Sequence, residues 1–192
     1  MKAWLARCFP KGKVCSSCRL NTPRQQGFAS TIMVNKGWKR DESLLRVFAY
    51  GSVVSTYILI VIGGYVTTSN SGLGCGESWP LCKGAVLPSL NNPEVVIELT
   101  HRLFNSVVGV FILGLAIVAW TKFRTERNIV LLSTTSLVAL IAQVLLGMVT
   151  VTTSLNPIVS DAHLALGSAI LAIVVANAVI VRNLTVRPAG LR

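Results

Sequence analysis

The chain has 192 residues, 52% of them hydrophobic and 13% charged, which leaves too little polar surface for an ordinary water-soluble domain. A net charge of +11 would suit a nucleic-acid binder, but ten of the eighteen Lys and Arg residues fall within the first 46 positions and most others flank hydrophobic runs. No basic stripe with interleaved aromatics occurs, so no nucleic-acid partner is expected and membrane lipid is the expected surrounding.

Residues 1–45 are basic, hold no acidic residue before Asp41, and carry Cys8, Cys15 and Cys18. They read as a disordered cytoplasmic tail. The Cys15-Ser-Ser-Cys18 pair lacks the second pair that a four-ligand zinc site needs. An organellar transit peptide and a translation start at Met33 are the other readings of this segment.

Residues 46–182 then form the expected domain, with spans at about 47–66, 95–120, 129–151 and 158–181, and residues 183–192 form a second tail. Each span is nearly free of charge and reaches the roughly 20 residues that an apolar layer about 30 Å thick requires. Helix is the conformation expected, because a lone segment in lipid must satisfy its own backbone hydrogen bonds. Asn156-Pro157 opens the fourth span as a turn. Lys36, Lys39, Arg40 and Arg46 precede the first span, Lys122, Arg124 and Arg127 separate the second from the third, and Arg182, Arg187 and Arg192 follow the fourth. The outer loop, 67–94, holds only Lys83. The positive-inside rule therefore places both termini in the cytoplasm of a multi-pass cell-membrane protein.

An internal repeat relates the two halves. Gly64-Tyr-Val-Thr67 ends the first span as Gly147-Met-Val-Thr150 ends the third, and His101 with Ser106 is echoed by His163 with Ser168. The fold class expected is therefore all-α, an integral membrane bundle of four transmembrane helices built from two repeated hairpins. The first hairpin carries the longer outer loop, which includes Cys75 and Cys82.

His101 and His163 are the only histidines, and each sits five or six residues inside the outer end of its span, or roughly 8 Å deep at 1.5 Å per residue. Two neutral imidazoles at one depth on facing helices can supply both axial donors of a tetrapyrrole iron. The plain alternative is a hydrogen bond from each ring across a helix interface. Glu98 shares a helix face with His101, where it would point at whatever His101 binds or simply complement the helix dipole. Arg102 either pairs with a porphyrin propionate or snorkels to the interface.

Cys75 and Cys82 face the oxidising side, so a disulfide is their expected state, as a structural staple or as a redox-active pair. Trp79 and Pro80 read as an interfacial anchor and a turn. Gln143 and Asn105 are expected to bond across helices, and Gly63, Gly64, Gly109, Gly114, Gly147 and Gly167 to permit close approach or leave room for a flat ligand.

The run Gly72-Leu-Gly-Cys75-Gly-Glu-Ser-Trp79-Pro80-Leu-Cys82-Lys-Gly84, followed by Glu98-Leu-Thr-His101-Arg102 and by His163, resembles the haem A synthase family of cytochrome oxidase assembly, in a short four-helix form. The resemblance covers about residues 47–182. It implies a haem-dependent membrane oxidoreductase that converts the C8 methyl of haem O to the formyl of haem A by successive hydroxylations and loss of water from a gem-diol. It further implies His101 and His163 as axial ligands of a haem iron, Glu98 as a residue needed for turnover, and Cys75 with Cys82 as a loop disulfide.

Haem B is the implied prosthetic group, haem O the substrate, and haem O synthase and an electron-transfer protein the implied partners. Family members usually carry eight spans in two halves, each with a histidine pair. This chain shows one pair, so a homo-oligomer is expected to restore two haem positions. A bis-histidine b-type cytochrome and a membrane thiol-disulfide oxidoreductase are the competing functions: the first leaves Glu98 and the cysteine loop without duties, and the second leaves the histidines so.

Overall fold

The structure, a computed structural model, describes residues 24–86 and 88–184, with side chains from residue 39 onward. Cys8, Cys15, Cys18 and the tail from residue 185 lie outside the described residues. The described residues fall into two units that divide after Gly37. In the first, residues 24–37 are helical, and the architecture that follows concerns the second.

Four helices account for nearly all of the regular structure: α1 (Arg24–Thr68), α2 (Pro93–Lys122), α3 (Arg127–Thr152) and α4 (Pro157–Leu184). Each has a stretch long and apolar enough to cross a membrane, and there is no strand among the described residues beyond an isolated Cys82–Ala85 bridge. The bundle expected from the sequence is therefore present, with one difference at its start. Helix α1 begins at Arg24, inside the segment read as a disordered tail. Two contacts explain why the ordered bundle starts before residue 46: Leu45 is buried in the core at 1% exposure, and Asp41 pairs with Lys122 of α2 at 3.8 Å.

The two hairpins share a device at their second helices. Asn92 caps α2, its Oδ1 accepting the Glu94 amide at 2.9 Å ahead of Pro93, and Asn156 Oδ1 accepts the Ile158 amide at 3.0 Å ahead of Pro157. An Asn oxygen covers an orphan donor and proline fills the first helical position, where no amide is missed. The same start signal thus places both histidine-bearing helices.

Packing is inverted relative to a soluble protein. Val54, Val61, Val110, Leu131, Val138, Ile141 and Leu164 face outward, while Ser52, Ser55, Thr56, Ser133, Ser136 and Asn177 are buried. Small and hydroxyl residues let helix backbones approach where lipid offers no hydrophobic drive. Helices α1 and α2 interlock reciprocally, because a Cβ on Gly51 would meet Phe111 at 2.3 Å and one on Gly114 would meet Phe48 at 2.3 Å. Those two rings meet edge to face, their centroids 6.4 Å apart. A lower cluster around Leu45, Leu115, Phe123, Ile129 and Val181 draws on all four helices, and a middle one joins Val108 and Ile112 to Leu140, Ile170 and Val174. Between α3 and α4, buried Asn177 donates to Ser133 Oγ at 2.9 Å.

Candidate functional site

His101 lies eight residues into α2 and His163 six into α4, so both rings sit at the end of the bundle that carries the 69–92 loop and the short 153–156 turn. Each ring lies over a glycine of the preceding helix in its own hairpin. A Cβ on Gly63 would meet His101 Cε1 at 3.1 Å, and one on Gly147 would meet His163 Cε1 at 3.0 Å. Both hairpins thus lay an imidazole against bare backbone, although the first ring lies on Gly63, one residue before the Gly64 that the sequence repeat sets against Gly147. Both Nδ1 atoms are buried without a hydrogen-bond partner. Both histidines are half-buried.

Gln143 of α3 crosses to α4, where its Nε2 donates to the His163 carbonyl at 3.0 Å and lies 3.2 Å from His163 Nε2. The expected interhelical role of Gln143 is therefore met. Asn105 makes no hydrogen bond among the described residues. Asn177 has the interhelical role instead, and its apolar surroundings in sequence gave no sign of the serine opposite. Of the six glycines expected to open space, Gly63, Gly114, Gly147 and Gly167 have side chains packed over them, whereas Gly64 and Gly109 face open space.

Glu98 is 3% exposed, and its carboxylate faces the outer loop. The Cys75 amide donates to Oε2 at 2.7 Å, and Arg102 pairs with Oε1. Arg102 also donates through Nη1 to the Ser78 carbonyl at 3.0 Å and the Leu81 carbonyl at 3.4 Å. Spacing leaves Glu98 either facing the ligand of His101 or complementing the helix dipole; in the structure its hydrogen bonds go to the loop backbone and Arg102. An i,i+4 pair thus clasps the loop onto the histidine helix.

Cys75 and Cys82 form a disulfide, both sulfurs buried with Val95 and Leu99. The loop backbone presses onto the start of α2, where a Cβ on Gly74 would meet the Glu94 carbonyl oxygen at 2.3 Å. It also reaches the second hairpin: Glu77 accepts a hydrogen bond from Ser154, and Leu155 packs over Gly72. Ser154 and Leu155 both take left-handed backbone conformations, with φ of 52° and 62°, each at a cost of roughly 1 kcal/mol for a residue with a Cβ. The loop contacts hold that turn in place. A separate cavity of about 540 Å³, lined by Lys83, Ala85, Pro88, Asn91 and Val95, belongs to the loop and borders neither histidine.

The arrangement is thus two imidazoles at the end of the bundle that carries a disulfide-closed loop, with a buried carboxylate joining that loop to the His101 helix. Residues 46–191 match the family described as cytochrome oxidase assembly protein, COX15-CtaA. The chain is 41% identical over 103 residues to a heme A synthase of Lysinibacillus sphaericus (strain C3-41), which covers 54% of this chain and 34% of that protein. It is 38% identical over 103 residues to one of Geobacillus kaustophilus (strain HTA426), covering 54% and 32%. It is 36% identical over 121 residues to one of Bacillus mycoides (strain KBAB4), covering 62% and 39%. The aligned part therefore spans 32 to 39% of these relatives' own length. With the family match running from the first apolar span through the fourth, this membrane protein belongs to the cytochrome oxidase assembly protein family, COX15-CtaA.

Proposed function

We propose that the chain works as a haem A synthase, taking the C8 methyl of haem O to a formyl group. The observation that carries this reading is the matched seating of His101 and His163 on Gly63 and Gly147. Both Nδ1 atoms are buried without a partner and only the His163 ring meets a polar side chain, Gln143 at Nε2, so hydrogen bonding across helices leaves the His101 ring unexplained where a haem would not. His101 and His163 would hold the iron, and haem B is the resident group in this reading. When bound, it supplies the redox chemistry for the four-electron oxidation of methyl to formyl.

Glu98 serves turnover from a fixed position. Its two oxygens are held by the Cys75 amide and Arg102, so the carboxylate cannot swing into lipid. Arg102 has five donor protons and commits three to Glu98, Ser78 and Leu81, which leaves two for a propionate. Cys75 and Cys82 close the loop that Glu98 and Arg102 hold to α2. In this reading the loop lies outside the cell membrane and both termini lie in the cytoplasm. A second copy of the chain supplies a second haem position, and haem O synthase and an electron-transfer protein are the partners.

The test is expression in a host that makes haem O, followed by pigment extraction. Haem A is expected from the unsubstituted chain and is expected to vanish with Glu98→Ala and with His101→Ala. Bound haem B with no conversion in the unsubstituted chain would instead make it a b-type cytochrome.

A further inference from the structure

Below His101 the inward face of α2 opens. Glu98, His101, Asn105, Ile112 and Ala116 follow one another at helical spacings of three, four, seven and four, so they share one face. That face is sealed above and below, since Glu98, Ile112 and Ala116 are buried. Between them, His101 and Asn105 are only half-buried. Gly109, four residues past Asn105, has nothing within 4 Å of its Cβ position. Val108 beside them belongs to the middle apolar cluster, so the opening follows the Asn105–Gly109 edge of the face.

The second hairpin is closed at the matching level. Gly167 follows His163 by four residues, as Asn105 follows His101, and it is buried beneath Gln143, whose Nε2 lies 3.1 Å from a Cβ placed there. The first hairpin thus has a polar group beside open space where the second has a filled gap. Rise along the helix puts Asn105 about 6 Å deeper than His101. Its carboxamide makes no hydrogen bond among the described residues, at a depth where lipid offers no partner. Two donor protons and an acceptor there are costly unless a ligand satisfies them.

The substrate has one polar group that such a depth would suit. Haem O differs from haem B in one substituent, a hydroxylated carbon bearing a farnesyl chain in place of a vinyl group, on the edge of the macrocycle away from the propionates. With the propionates at Arg102, beside the loop, that edge lies toward Asn105. We infer that Asn105 binds this hydroxyl and that Gly109 leaves a path for the chain, so that the opening below His101 selects haem O over haem B. This rests on the haem reading above.

The test uses the full chain expressed in cells that make both haem O and haem B and purified in detergent. Its bound pigments are extracted and separated, with any haem A counted as the haem O it comes from. The unsubstituted chain is expected to be enriched in haem O relative to the membrane it came from. Asn105→Leu, close in shape but without polar atoms, is expected to lower the ratio of haem O to haem B about tenfold while total haem per chain is kept, because haem B takes the place. If Asn105→Leu does not accumulate, Asn105→Ala decides by the same ratio. Gly109→Leu, which puts a side chain in the path, is expected to lower the ratio as well.

An unchanged ratio in a folded Asn105 variant would overturn the inference, as would equal loss of both haems, which would make Asn105 a packing residue. An unsubstituted chain that binds neither haem would overturn the haem reading and this inference with it.

Discussion

A histidine ring packed against helix backbone leaves little room for a side chain beneath it, so Gly63 and Gly147 constrain the site together with the imidazoles. Gly63→Val would place two methyl groups where His101 Cε1 already sits 3.1 Å from a Cβ position. The ring must then leave its seat, and the expected result is loss of haem with little change in the amount of folded protein. Gly64→Ala is the matched control, since nothing lies within 4 Å of its Cβ position. Pigment content per mole of purified chain measures both, and equal haem in Gly63→Val and the unsubstituted chain would remove the seat from the argument. Sequence showed the histidines and named Gly63 and Gly147 among six glycines that permit close approach, but the repeat aligns Gly147 with Gly64 and not with the Gly63 that lies under His101. It did not show that each glycine lies under a ring, since that depends on the rotation of one helix against another. Nor did it show that the Glu98 carboxylate turns to the Cys75 amide: spacing of three residues says only which face Glu98 occupies.

At the scale of elements, the outer loop behaves as a clasp. The Cys75–Cys82 bond closes a short ring, the Glu98–Arg102 pair grips its backbone, and Gly74 lets it lie against α2. Gly74→Ala forces a Cβ into the Glu94 carbonyl oxygen, which is backbone and cannot rotate away, so the loop must lift at a cost of roughly 1–3 kcal/mol. Lifting breaks the hydrogen bond from Cys75 to Glu98. The expected outcome is faster trypsin cleavage at exposed Lys83 in membranes with the loop side accessible. Replacing both cysteines by Ser should speed cleavage likewise, by removing a constraint of roughly 2 to 3 kcal/mol on the unfolded loop. An unchanged cleavage rate in Gly74→Ala would mean that the loop is held by other contacts. The helices themselves were legible, because apolar runs in lipid admit few alternatives. The early start of α1 was not, since Leu45 and Asp41 look like tail residues until their partners Leu115 and Lys122 are brought beside them.

For the whole molecule, the distribution of charge and the number of histidines bear on assembly. Basic residues gather at the end of the bundle opposite the loop, which supports the placement of the imidazoles near the outer side. In the proposed reading the two histidines hold one iron, and the proposed reaction uses a resident haem and a haem substrate. If both haems are needed and each copy holds one, a copy that cannot bind haem should disable the copy beside it. Coexpression of the unsubstituted chain with an equal amount of His163→Ala tests this directly. Random pairing leaves about a quarter of dimers with two intact copies, so haem A formation should fall to about a quarter, whereas independent copies would retain about a half. Separately tagged copies should also copurify from detergent. Activity at the half level without copurification would mean that each chain works alone, and the second haem would then have to bind the single pair in turn.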